Sequence, residues 1–151
     1  VVVVELAGPP QVDTAVRPAA DGSITLPAMA AQVIGQQARY ESDKDCIGYW
    51  TDASNQVSWE FIAEQAGKYS VEITYATEKG CGDGEWEIRI GDSRVAGKCK
   101  ETGSWTAFIT EPVEGTLEVQ AGKNTLLVVP TRIANVAVMN LRSIVLRPIK
   151  A

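Results

Sequence analysis

The feature that most restricts the fold is a two-residue alternation of apolar and polar side chains that recurs along the chain. Across 56–62, Val57, Trp59 and Phe61 alternate with Ser58 and Glu60; across 68–76, Tyr69, Val71, Ile73 and Tyr75 alternate with Ser70, Glu72 and Thr74. Across 85–90, Trp86, Ile88 and Ile90 alternate with Glu85, Glu87 and Arg89. Successive side chains of a strand point to opposite faces. This pattern therefore specifies strands with one face in a core and one in water, the habit of antiparallel sheets. The segments 105–109, 116–119, 125–129 and 143–146 are further strand candidates. Turn chemistry separates these runs at Gln65-Ala66-Gly67, Gly91-Asp92, Ala121-Gly122-Lys123-Asn124 and the loop Gly80-Cys81-Gly82-Asp83-Gly84. A helical apolar stripe is visible only weakly, over 28–33. Many short strands with regular turns predict an all-β fold, an antiparallel β-sandwich or jelly roll. Trp59 and Trp86, inside clean alternating runs, are predicted to lie in its core.

The 151 residues, 45% of them apolar, suit one domain with a sizeable core. Residues 1–6 read as a strand left from a preceding domain, 7–23 as a Gly- and Pro-bearing connector, and 24–151 as the sandwich. No histidine is present. That removes Ser-His-Asp and Cys-His nucleophile activation and histidine acid–base catalysis, and no carboxylate pair sits in a recognisable catalytic motif. The net charge of −5 is dispersed, with no basic cluster for nucleic acid. No stretch approaches the ~20 apolar residues that cross a membrane as a helix. Three cysteines, Cys46, Cys81 and Cys99, match no zinc spacing. Cys81 and Cys99 flank a predicted hairpin turning at Gly91-Asp92, which places them roughly opposite each other. A Cys81–Cys99 disulfide and three reduced thiols are both compatible with that placement.

Five segments in order carry a resemblance. They are Ile47-Gly48-Tyr49-Trp50 leading into Val57-Ser58-Trp59-Glu60-Phe61, Ala66-Gly67-Lys68-Tyr69-Ser70-Val71, Thr102-Gly103-Ser104-Trp105, Ala121-Gly122-Lys123-Asn124-Thr125-Leu126, and Met139-Asn140-Leu141-Arg142-Ser143-Ile144. Together they resemble the family 6-like carbohydrate-binding modules, of the kind appended to bacterial α-L-fucosidases and sulfatases. The resemblance spans roughly 24–148 and implies the galactose-binding-like form of the jelly roll. The leading Val1–Pro10 stretch looks like the last strand of family 29 α-L-fucosidases.

By position, the resemblance implies that Tyr49 and Trp105 are stacking rings and that Asn140 is the hydrogen-bonding amide. The C–H face of a pyranose packs on an aromatic face, and its hydroxyls need planar polar partners. Tyr49 and Trp50 are neighbours, so an extended backbone sends one to the core and the other outward, and either is a candidate ring. Trp105 follows a turn and is either a ligand platform or core; Asn140 is either a ligand contact or a loop cap. The charged loops Asp43-Lys44-Asp45 and Gly82-Asp83-Gly84-Glu85 are either solvated or line a site. The family's structural calcium needs several oxygen ligands. Here Ala28-Met29-Ala30-Ala31-Gln32 and Arg142 stand at its ligand positions, so no cofactor is expected. What the resemblance implies is a secreted or periplasmic, non-catalytic module whose partners are a carbohydrate and a parent catalytic domain, with no nucleic acid or membrane. The alternative is a structural sandwich that packs on the catalytic domain and binds no sugar.

Overall fold

The computed structural model describes residues 15–149. The expected strand over 1–6 lies outside them, as does the first part of the 7–23 connector. The elements run β1 (Ile24–Pro27), a 3-10 turn (Ala28–Ala30), β2 (Gln32–Ile34), β3 (Arg39–Glu41), β4 (Cys46–Gly48), β5 (Gln56–Ala63) and β6 (Gly67–Ala76). They continue with β7 (Glu85–Ile90), β8 (Ser93–Lys98), β9 (Ile109–Val119), β10 (Gly122–Arg132) and β11 (Asn140–Pro148). Two antiparallel sheets face each other. One has the order β3-β4-β11-β6-β9, with β1 also on β11; the other has the order β2-β5-β10-β7-β8. The antiparallel β-sandwich expected from the alternation is the observed architecture.

The alternation does what it specifies. Val57, Trp59 and Phe61 of β5 and Val71, Ile73 and Tyr75 of β6 are all buried, meeting Ile88, Leu126, Val128, Ile144 and Leu146 between the sheets. Trp59 donates its indole N–H to the Pro27 carbonyl (2.8 Å), which ties β5 to the start of the 3-10 turn. Burying a side chain of this kind is worth roughly 1.5–3 kcal/mol, so the inward rows of the central strands carry much of the stability. Trp86 is likewise buried, its ring lying over Gly97 of the neighbouring strand.

Two expectations change. The segments 105–109 and 116–119 belong to different arrangements: Trp105 sits in a turn, and β9 runs unbroken from Ile109 to Val119. Its Pro112 and Gly115 resemble turn residues in sequence. On this edge strand Pro112 pairs in register with Glu72, and a register shift of β9 against β6 between Tyr69 and Val71 accommodates Gly115 as a bulge. The weak helical stripe over 28–33 is a single 3-10 turn followed by a short strand. Within the connector, Val16 bonds to the β5 edge through Glu60 and Ile62 (2.8 and 2.7 Å), so sheet contacts begin before residue 24.

All three cysteines are free and buried, the second of the two arrangements left open for Cys81 and Cys99. The hairpin forms as expected, but Glu85 pairs with Lys98 and the Cys99 amide bonds to the Gly84 carbonyl. Cys99 therefore faces the glycine loop at residue 84, three positions from Cys81. Burial pushes the Cys46 thiol up to about 11. It pushes Cys99 up to about 12, against an opposing pull from the Trp86 indole.

Candidate functional site

The register of β11 builds the site. Leu141 pairs with Ile47 and Asn140 with Ala76. Asn140 is thus brought beside the ends of β4 and β6, where the loops after Gly48 and Ala76 leave the sheet. A cleft of about 290 Å³ opens there, lined by Glu41, Lys44, Tyr49, Thr51, Trp105 and Asn140 together with Val136 and Ala137. Tyr49, Trp105 and Asn140, expected from sequence to act together, meet in it. Trp50 does not.

Tyr49 and Trp50 part company at a strained residue. Tyr49 has φ of 54°, in the left-handed region that a bulky side chain adopts at a cost of about 1–3 kcal/mol. The bend sends Trp50 into the core, where it is fully buried and donates its indole N–H to the Asn55 carbonyl (2.9 Å). Trp50 is thereby removed from the candidate rings. Tyr49 is left 51% exposed. The Arg39 guanidinium covers one face of its ring at 4.0 Å and fixes its tilt.

Trp105, half-buried, is presented by a turn that two threonines clamp. Thr102 Oγ1 accepts the Thr77 amide (2.9 Å) and donates to the Thr77 carbonyl (2.9 Å), while the Thr102 amide donates to Thr77 Oγ1 (2.9 Å). Thr77 Oγ1 donates to the Lys100 carbonyl (2.6 Å), and the Gly103 amide adds a bond to the Thr77 carbonyl (3.0 Å). Asn140, 5% exposed, donates Nδ2 to the Trp105 carbonyl (2.9 Å). Asn140 is therefore both a cleft residue and a strut for the ring beside it.

The glycine loop, read from sequence as either solvated or lining a site, supports the walls. Asn135 donates Nδ2 to the Gly82 carbonyl (2.7 Å). A Cβ on Gly82 would meet Glu101 backbone at 3.0 Å, and one on Gly84 would meet Val138 backbone at 3.2 Å. Only glycine lets both walls approach this closely. The 136–138 segment is further held by the Val138 amide on the Trp50 carbonyl (3.0 Å).

The other charged loop contributes directly. Lys44, in the hairpin turn between β3 and β4, sits 3.3 Å from Glu41 Oε2 and 3.9 Å from Asp43. The carboxylate of Glu41 holds the Lys44 ammonium above the ordinary lysine range. Lys44 comes from the charged loop that sequence read as solvated or lining a site, whereas Glu41, Thr51, Val136 and Ala137 are cleft residues that sequence reasoning did not place. Thr51 flanks the Tyr49-Trp50 pair, Glu41 ends β3, and Val136 and Ala137 come from the connection between β10 and β11.

The calcium ligand set does not fit here. The 28–31 segment has no side-chain oxygen, and among the described residues no group of three or more His, Cys, Asp or Glu converges. Arg142 instead donates Nη2 to the Lys44 carbonyl (2.9 Å) and Nε to the Asp45 carbonyl (3.3 Å), and lies 3.6 Å over the Phe108 ring.

Two larger hollows, of about 550 and 710 Å³, lie at the opposite pole, beside Pro148 and Asn124 respectively. Neither offers an exposed ring: Tyr69, the sole aromatic residue lining them, is buried. Along β11 that pole lies roughly 26 Å from Asn140.

No protein-family model matches the chain, and no curated protein matches its sequence. Solved structures do match. A family 35 carbohydrate-binding module from Clostridium thermocellum superposes with a TM-score of 0.68 at 16% identity, covering 84% of this chain and 98% of that one. The C-terminal family 6 module of LamC, a marine laminarinase from Zobellia galactanivorans, gives 0.65 at 18%, covering 83% and 98%. The Cry4Aa toxin of Bacillus thuringiensis gives 0.74 at 13%, covering 93% of this chain and 26% of the toxin. At these identities the likeness establishes the fold: the β-sandwich of family 6 and family 35 carbohydrate-binding modules.

Proposed function

We propose that this chain is a non-catalytic carbohydrate-binding module serving a glycan-degrading enzyme in a secreted or periplasmic setting, with the cleft at Tyr49, Trp105 and Asn140 as its sugar site. The observation that carries the reading is the convergence of an exposed ring, a half-buried ring and a polar amide on one small cleft, at one pole of the sandwich. A pyranose presents the complementary surfaces, an apolar C–H face and a rim of hydroxyls. Attachment to an enzyme is supported by the LamC module, which belongs to a laminarinase. Such a module acts by raising its host's local concentration on the glycan. The solved structures named above include no fucosidase or sulfatase, so the proposed host is a glycan-degrading enzyme of unspecified class.

One observation favours the alternative, a sandwich that packs on a catalytic domain and binds no sugar. Asn140 commits Nδ2 to the Trp105 carbonyl, a structural use of the residue expected to meet the ligand. The two readings separate on a glycan array followed by titration calorimetry with the best glycan. Tyr49→Ala is expected to remove ~1–3 kcal/mol of binding while melting as the parent does, because the ring is exposed. Trp105→Ala is expected to abolish binding with a modest fall in melting temperature. A parent that binds no glycan, or a Tyr49→Ala variant that binds as the parent does, would sink the proposed site.

A further inference from the structure

The floor of the cleft carries two oxygen acceptors on one spot. Gly48 ends β4, and the space its missing Cβ would fill is taken by Glu41 Oε1, with Asn140 Oδ1 3.3 Å from the same point. Each residue has a second polar atom that is already partnered: Asn140 Nδ2 gives one of its two N–H donors to the Trp105 carbonyl (2.9 Å), and Glu41 Oε2 faces Lys44 Nζ (3.3 Å). Lys44 is shared with Asp43 at 3.9 Å. The two charged residues lining the cleft therefore pair with each other, and the two oxygens that meet beside Gly48 are both acceptors, one of them on a carboxylate.

Building on the sugar-binding reading, we propose that the cleft selects a neutral terminal sugar. Two hydroxyls of one ring donate to Glu41 Oε1 and Asn140 Oδ1, and the site discriminates against the matching uronate and sulfated sugars. A hydroxyl donating to an ionised carboxylate makes a charge-assisted bond, roughly twice as strong as a neutral one. A ligand carboxylate or sulfate brings acceptors to a floor of acceptors. Seated on this pair it meets the Glu41 carboxylate, whose side chain is only 12% exposed, and any pairing with Lys44 competes with the Glu41 bridge. The volume, about 290 Å³, sits at the small end for ligand pockets (~300–1,000 Å³) and suits one ring rather than a run of them.

The test is a glycan array of paired termini, galactose beside galacturonate, glucose beside glucuronate, and galactose beside its 6-sulfate. Titration of the best neutral glycan and its anionic twin follows. The parent is expected to bind the neutral member at least about tenfold tighter. Glu41→Gln frees Lys44, so neutral affinity should fall about tenfold and the preference should narrow or reverse. Gly48→Ala inserts a methyl that meets the flexible end of Glu41 and should shift affinity in the same direction, giving a second route if either variant folds poorly. A parent that binds the uronate or sulfated twin as tightly would overturn the proposal. So would Glu41→Gln with the parent's melting temperature and unchanged neutral affinity. Binding that requires Tyr49 and Trp105 but ignores Glu41 refutes the acceptor pair alone. Absence of all glycan binding, or binding that ignores the rings, refutes the sugar-binding reading itself.

Discussion

Thr102→Val isolates the clamp that presents Trp105. The substitution keeps the β-branched shape and removes one oxygen, the atom that accepts the Thr77 amide and donates to the Thr77 carbonyl. The carbonyl keeps the Gly103 amide (3.0 Å), so its loss is minor. The Thr77 amide has no replacement, and Thr77 is fully buried. An orphaned buried donor costs about 1–3 kcal/mol. Taking ~2 kcal/mol and roughly 2–4 °C per kcal/mol for a domain of this size, the melting midpoint should fall by about 4–8 °C. Because Trp105 lies three residues further on, glycan affinity should weaken too, although no ligand contact is removed. The assay is a far-UV circular dichroism melt paired with calorimetric titration. Thr102→Ser, which retains the hydroxyl, should restore both readouts. A Thr102→Val protein that melts within ~1 °C of the parent and binds equally well refutes the clamp.

Arg142→Met keeps an aliphatic stem over Phe108 but drops the bonds to the Lys44 and Asp45 carbonyls. It should lower stability by about 1 kcal/mol and weaken glycan binding through the Lys44 loop, and a variant unchanged in both measurements would contradict that role. Since Arg142 already grips this loop and the calcium ligands are missing, melts in excess calcium and in chelator should coincide; a calcium-dependent rise beyond about 4 °C would overturn this. All three thiols should react with a thiol reagent in denaturant and almost none at pH 8 in the native state, whereas two missing equivalents would reveal a disulfide. The folded thiols of Cys46 and Cys99 titrate near about 11 and 12, above the ordinary value of about 8.5. Their neutral forms therefore stabilise the fold fully below that ordinary value, and the contribution disappears as pH climbs toward 11–12. Unfolding in urea should become easier across that range, and a flat profile would contradict the burial of these two groups.

The central strands β5, β6 and β7 are written in the chain because alternation reports directly which side chains a pleated strand buries, and Trp59 and Trp86 followed it into the core. Strands of three or four residues, such as β2, β3 and β4, are too short to show a period; they exist because β5 offers an edge to β2, β11 to β4, and β4 in turn to β3. Local pattern did not reveal that Ile109–Val119 is one continuous edge strand with a bulge at Gly115, while Trp105 sits in a turn before it, and the partner of the Cys99 amide, Gly84, was set by hairpin register. The site divides in the same way. Tyr49, Trp105 and Asn140 were legible through resemblance, yet adjacency could not say whether Tyr49 or Trp50 would face out; the left-handed bend at Tyr49 and the hydrogen bond from Trp50 to Asn55 decided that. Glu41 and Val136 carry no local signal at all, because a cleft is an intersection of loops. Its members are neighbours only once Leu141 pairs with Ile47 and Asn140 with Ala76, contacts that span most of the chain and leave no short-range pattern in the sequence.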